Sequence, residues 1–221
     1  MLDVLHPGHS DRSQAEAFIR DVFSKKYDAC IEHFMPHLIR LSYDETGTWY
    51  SVAGYREASS GSLFVEQYLR QSVDYELSCR IGQTVNRDAI VEVGNLAEAG
   101  PGGGRDAIIA LVSFLFGAGY KWGVVTAVPQ VANGFRRLGL EYVDLGVADA
   151  NQLSPEQRIA WGSYYDHKPM IRAADLRMAY RVLEIMYHDF PVGCRDIMTK
   201  ARDMGLQWQK VLQQEKEKTV L

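Results

Sequence analysis

Residues 90–120 read IVEVGNLAEAGPGGGRDAIIALVSFLFGAGY and decide the fold. Ile90-Val91-Glu92-Val93-Gly94-Asn95-Leu96-Ala97 is an apolar run of strand length that carries one carboxylate. Gly100-Pro101-Gly102-Gly103-Gly104-Arg105 is a loop. A helical pattern follows, with Ala107, Ile108, Ala110, Leu111, Phe114 and Leu115 on its apolar side. Strand, glycine loop and helix together make a phosphate-binding arrangement: glycines let the backbone approach an anion, and free N–H groups at the helix start point at it. A flexible connection is the other reading of the same glycines.

Downstream, Gly117 and Gly119 stop the helix, and Lys121–Ala127 reads as a strand. A strand reached through a helix is expected to lie parallel to the first. Gln130–Leu138 is a second helix and Gly139–Gly146 a turn and strand, giving β–loop–α–β–α–β. Upstream, Ser13 can cap a helix over Gln14–Tyr27. Cys30–Phe34 is a further short segment ended by Pro36. Leu38–Tyr43 and Trp49–Arg56 form a hairpin around the turn Asp44-Glu45-Thr46-Gly47-Thr48. Leu63–Leu69 is a short strand or helical turn lining a cavity, and Val73–Ile81 a short helix. Beyond the core, Gln152–Trp161 is a helix capped by Ser154 with Pro155 in its first turn. Gly162–Ile171 is a site-edge loop or final strand. Asp175–Tyr187 and Arg195–Glu217 are helices, the second ending in the charged tail Gln213–Lys218. The expected organisation is an irregular arm over 1–13, an α/β domain over 14–172 and a helical extension over 173–221.

The chain has 221 residues, 47% of them apolar, enough for one large core. A formal net charge of −4 and no basic block argue against nucleic acid as a partner. Cys30, Cys79 and Cys194 form no C-x-x-C pair and read as reduced thiols of a cytoplasmic protein. MLDVLHPGHSDRS lacks the basic and apolar regions of a signal peptide, and no apolar stretch is long enough to cross a bilayer. His6 and His9 have no partners at ligand spacing, so no metal is expected.

The element order resembles the core of the GNAT acyltransferase fold, which implies a mixed central sheet with flanking helices, here followed by the C-terminal helical extension. In that fold the strand before the loop splays from its parallel neighbour, and the loop amides hold the phosphates of coenzyme A or of a carrier protein's phosphopantetheine. Gly100–Arg105 stands in that place, although no basic residue opens the run. Phe135-Arg136-Arg137-Leu138-Gly139-Leu140 resembles the later segment beside the acyl carrier. More specifically, residues 14–175 resemble the bacterial thermostable hemolysin family. The likeness rests on FIRDVF (18–23), AGYR (53–56), LFVEQYL (63–69), IVEVGNLA (90–97), FRRLGL (135–140) and WGSYY (161–165). Acyl-homoserine-lactone synthases are a more distant likeness. Their central strand carries Glu-x-Ser-Arg where this chain has Glu92-Val93-Gly94-Asn95; the Glu matches and the Ser-Arg does not, which argues against a lactone-type acceptor.

The resemblance implies an N-acyltransferase whose co-substrate is acyl-CoA or acyl-phosphopantetheine on an acyl carrier protein. The acceptor would be a primary amine, such as an amino acid or amino-lipid precursor. Glu92 is the candidate general base, because burial lifts a carboxyl toward neutrality. Backbone amides from Val93 to Leu96, with Asn95, are candidates to hold the oxyanion. Tyr164 or Tyr165 is the candidate acid for the leaving thiolate. Gly100, Gly102, Gly103, Gly104 and Arg105 would hold the donor's phosphates. Read as a strand, LFVEQYL puts Phe64, Glu66 and Tyr68 on one face, the expected acceptor pocket; Arg56 can grip an acceptor carboxylate bidentately. A fatty amide product is a surfactant, which would make haemolysis, and any peripheral membrane contact, a property of the product. Two other readings stay open: a membrane-active haemolysin using the terminal helices, and a non-catalytic acyl-carrier-binding protein.

Overall fold

A computed structural model describes residues 1–43, 46–100 and 102–219. Asp44 and Glu45 of the expected turn, Pro101 of the glycine loop and the side chains of 215–218 in the charged tail lie outside what it describes. The chain runs β1 (Leu2–Leu5), α1 (Arg12–Tyr27), β2 (His37–Ser42), β3 (Trp49–Glu57), α2 (Val73–Ile81), β4 (Ile90–Glu98) and α3 (Gly103–Gly117). It continues with β5 (Trp122–Ala127), α4 (Pro129–Arg137), β6 (Val143–Val147), α5 (Pro155–Ala160), β7 (Met170–Asp175), α6 (Leu176–Ile185) and α7 (Val192–Thr219). Among the described residues the strands form a seven-stranded sheet in the order β1-β2-β3-β4-β5-β7-β6. β4 and β5 pair in parallel, as the helical crossover requires, and the other pairs are antiparallel. This is a GNAT-like fold.

Alternation along β4 divides the core. Val91 points to the face covered by α3, α6 and α7, while Ile90 packs with Val65, Leu77 and Val124 on the opposite face. Farther along that opposite face, α1 packs Ile19 and Phe23 against Leu38, Val52 and Ala97. α3 is buried almost all round, from Ala107 to Leu115, because it lies between the sheet and α7. Among the described residues no helix is long and apolar enough to cross a membrane.

One irregularity in β4 shapes the region that matters. Val52 pairs with Ala97 and Gly54 with Gly94, so two steps on β3 face three on β4. The extra residue makes a bulge. Asn95 there adopts φ 52°, a left-handed conformation that asparagine tolerates better than most residues. Its side-chain oxygen accepts a hydrogen bond from the Met35 amide at 2.7 Å. Met35 lies across the two glycines facing each other here: a Cβ at Gly54 would sit 2.5 Å from that of Met35, and one at Gly94 2.6 Å from the Met35 methyl. The pairing with β5 ends at Val93 and Val125, and beyond it the two strands part.

Several expectations need correction. Residues 2–5 are an edge strand, not an arm: they pair with β2 from Leu2–Leu41 to Leu5–Leu38, burying both leucines. α1 starts at Arg12 after Asp11, two residues before the expected start, and Ser13 does not cap it. Cys30–Phe34 is not regular structure. It is held by tertiary bonds instead, from Cys30 N to the Ala160 carbonyl at 2.7 Å and from the buried Arg12 guanidinium to the carbonyls of Met35 (2.7 Å) and Pro36 (2.9 Å). Phe64–Tyr68 is one 3-10 turn. The expected domain boundary at 172/173 falls inside β7. The C-terminal helical extension is present and packs into the main core, which α6 and α7 share with α3. Ser154 and Pro155 do open α5, with Gln157 completing a capping box.

α7 approaches α3 through glycines. A Cβ added at Gly205 would run into the Phe114 carbonyl, and one at Gly117 into the Arg202 carbonyl. Gly205→Ala should therefore destabilise the fold by at least about 2 kcal/mol, read as a loss of about 4–8 °C in Tm by calorimetry. Asn95→Ala combines a left-handed penalty with a lost hydrogen bond and should cost about 2–3 kcal/mol in urea unfolding. Asn95→Gly keeps the conformation and should cost about 1 kcal/mol. In both Asn95 variants the Met35 amide should exchange with solvent faster than in the parent.

Candidate active site

A cavity of about 850 Å³ opens where β4 and β5 part. Its two sides differ in chemistry because they lie on different faces of the sheet. Toward α3 it is apolar, lined by Val93, Val125, Ile108, Leu111, Leu115 and Phe135. Toward α1 and α5 it is aromatic and charged, with Glu92, Arg56, Phe34, Phe64, Trp161 and Tyr164. The first side suits an apolar group and the second a polar or charged one.

Glu92 is 2% exposed. Its two oxygens accept the backbone N–H groups of Phe64 (2.8 Å) and Val65 (2.9 Å). Burial raises its pKa from the ordinary glutamate value, while these two amides and the charge of Arg56 hold the rise back. Arg56 stands opposite Glu92 in the β3–β4 register and also lines the cavity. Among the described residues its guanidinium makes no hydrogen bond or ion pair, so its donors are open to a ligand in the cavity. Val93, Asn95 and Leu96 line the cavity at the bulge. Asn95 spends its side-chain oxygen on Met35, which gives it the job of turning the chain and tethering the 30–36 segment.

Other candidates are placed elsewhere. Tyr164 lines the cavity, but its buried hydroxyl donates to the Thr126 carbonyl at 3.0 Å, and burial pushes its pKa up. A phenol so engaged is a poor proton donor, and its ring packs edge-on to Tyr27 at 5.1 Å as a wall of the site. Burial pushes Tyr165 up to about 12, and its hydroxyl is bonded to that of Tyr68. The shared face of Phe64, Glu66 and Tyr68 does not form, because a 3-10 turn has three residues per turn, not the two of a strand. Phe64 lines the cavity and meets Trp161 at 5.8 Å. Glu66 turns away to Arg87 at 2.6 Å, and accepts the N–H groups of Leu63 and Val73.

The glycine loop adjoins the cavity without lining it; Glu98 lines it instead. Gly102 opens α3 with φ 86°. Gly104 donates its amide to the Glu98 carboxylate at 2.5 Å, so a carboxylate of the chain itself occupies the start of the helix. The Gly104 position has no room for a Cβ beside Glu98. Arg105 pairs with its neighbour Asp106 at 3.1 Å. Glu98 is not among the residues expected at the site, although an acid six residues ahead of a helical glycine is a rival for those amides. Trp161 and Phe34 are further walls of the site, for which only their aromatic character is a signal in the sequence. Among the described residues no cluster of three or more His, Cys, Asp or Glu is placed to hold a metal.

The fold has solved counterparts of low sequence identity. The chain is similar to FeeM, an N-acyl amino acid synthase from uncultured soil microbes, at 13% identity over 82% of this chain and 93% of that one, with a TM-score of 0.54. It is similar to BjaI, a CoA-dependent acyl-homoserine lactone synthase solved with SAM and isopentyl-CoA, at 12% identity over 86% and 88%, with a TM-score of 0.58. Another such CoA-dependent synthase, MesI, matches at 12% identity over 92% and 95%, with a TM-score of 0.51. Among curated proteins no sequence matches. The family profile described as thermostable hemolysin matches residues 5–180, most of the chain, and the protein belongs to that family.

Proposed function

We propose that this chain is an N-acyltransferase that moves a fatty acyl group from a coenzyme A or carrier-protein thioester to the primary amine of a small acceptor. The observation that carries the reading is the cavity at the parting of β4 and β5, apolar on the α3 side and bearing Glu92 and Arg56 on the other. An acyl chain lying among Ile108, Leu111 and Leu115 brings its carbonyl to the bulge between Val93 and Leu96. The likeness to FeeM, an N-acyl amino acid synthase, and to BjaI, a CoA-dependent acyl-homoserine lactone synthase, supports the same class.

In this mechanism Glu92 takes a proton from the acceptor's ammonium, directly or through a water. The carboxylate already accepts two amides, and each oxygen retains a second lone pair for the purpose. The freed amine attacks the thioester carbonyl and forms the C–N bond. Backbone amides near Val93 and Leu96 hold the oxyanion. The C–S bond then breaks, the nitrogen releases its second proton to solvent to give the amide, and the thiolate leaves and takes a proton from solvent. Arg56 grips the carboxylate of an amino-acid acceptor, and Phe64 and Trp161 flank it. The donor's phosphates reach the Gly100–Arg105 loop by displacing Glu98 from the Gly104 amide. The fatty amide is a surfactant, so haemolysis would belong to the product.

Mass spectrometry of lipid extracts should show a long-chain amide in cells expressing the parent and none with Glu92→Ala. A base works only when deprotonated, so kcat/KM should rise with pH through an apparent pKa above the ordinary glutamate range. Glu92→Gln should lose that limb and about 10²–10⁴-fold in rate. A Glu92→Gln protein with unchanged rate and pH profile would remove Glu92 as the base. Glu98→Ala frees the Gly104 amide, and KM for an acyl-CoA donor should fall; a rise would show that Glu98 aids donor binding.

A further inference from the structure

We infer that Glu66 and Arg87 form a clamp that positions Glu92, by fixing the 3-10 turn whose amides hold its carboxylate. The inference rests on the reading of Glu92 as the base, and it assigns to Glu66 a task other than acceptor binding.

Arg87 lies just before β4, five residues ahead of Glu92, and spends its whole guanidinium on this region. It donates to both Glu66 oxygens, at 2.6 and 3.1 Å, and to Asp74 at 3.0 Å. It also donates to the carbonyls of Ala58 (2.8 Å) and Gly61 (2.7 Å). Glu66 completes the frame by accepting Leu63 N at 2.8 Å and Val73 N at 2.9 Å, which ties both ends of the 63–73 segment to one carboxylate. Phe64 and Val65, whose N–H groups reach Glu92, lie inside that frame. Val65 is fully buried, so the turn cannot shift without breaking its packing against Leu77 and Ile90. A bidentate Arg–carboxylate pair fixes orientation as well as distance, which is what a turn needs in order to aim two amides at one carboxylate.

The charged and titratable groups that act on Glu92 are Arg56 on β3, which favours its ionised form, and Glu66 on the turn, which opposes it. Tyr68, on the same turn, feels the charge of Glu92 in return. On β5 the register neighbour is Val124, which carries no charge. This arrangement separates a clamp from a mere electrostatic neighbour. Removing Glu66 takes away a negative charge, which alone would lower the pKa of Glu92. Removing the clamp loosens two amides that stabilise the carboxylate, which raises it.

The test is a carbon-13 NMR titration of the Glu92 carboxyl in protein labelled at glutamate, with the resonance assigned through Glu92→Gln. In Glu66→Ala the pKa of Glu92 should rise by about 1 unit, and kcat/KM should shift its acid limb upward with it. Arg87→Lys keeps the charge and the fold but loses the fork, and should raise the pKa in the same direction. A fall in Glu66→Ala, or an unchanged pKa in Arg87→Lys, would overturn the clamp. The NMR readout needs no turnover, so a protein that transfers no acyl group would defeat the proposed function while leaving the clamp to be decided on its own.

Discussion

A strand with one residue more than its partner cannot stay in register on both sides, and it bends. In this chain the extra residue is in β4 at Asn95, and the bend coincides with the end of the β4–β5 pairing at Val93. Parallel strands buried in the middle of a sheet normally leave no room between them. Here the parting opens a passage from one face to the other, and the cavity follows it. The cost is a left-handed asparagine and two unpaired strand edges. Asn95 is suited to both, since it tolerates that backbone and its side chain holds Met35 over Gly54 and Gly94.

Around the opening, charge is placed where burial makes it count. Glu92 is raised by burial, so between its unfolded and folded values the native state holds a proton that the unfolded chain has released. Its contribution to stability is therefore lost as pH rises through that window. Glu66 and Glu57 are lowered: burial acts against each, but Arg87 and backbone amides win for Glu66, and His37 and Tyr120 for Glu57. Their contributions are present above the unfolded value and are lost as pH falls through the folded one. One carboxylate is thus kept easy to protonate while the ones near it are kept ionised.

The β4–loop–α3–β5 unit was legible because each of its signals is local. Alternation marks β4, glycines mark the loop, and a continuous apolar run marks α3. The β2–β3 hairpin was legible for the same reason. What was missed depends on distant partners. β1 has four residues and two inward leucines, too few for a pattern, and exists because β2 offers an edge. Residues 30–34 take their shape from Arg12 and Ala160. LFVEQYL fits a short strand or a helical turn equally well, and the 3-10 turn it forms carries Glu66 out of the site and into a frame with Arg87 that no local spacing announces. Glu92 and Arg56 could be named from the sequence, but their being cross-strand neighbours comes only from the register.

The C-terminal helices show the same limit on a larger scale. A helix such as α3, apolar on nearly every side, cannot be an outer layer, because a side turned to water would expose apolar residues along its whole length. Something must cover it, and α6 and α7 do, with Phe116 stacked on Tyr180 at 4.3 Å and Gly205 seated against the Phe114 carbonyl. The family profile ends at residue 180, before α7 begins, yet α7 is what presses α3 toward the sheet. Since Ile108, Leu111 and Leu115 of α3 form one wall of the apolar side of the cavity, the width of that side is set from behind by the glycine contacts with α7. The shape of that side is then governed as much by residues 202–209, which do not line it, as by the side chains that do.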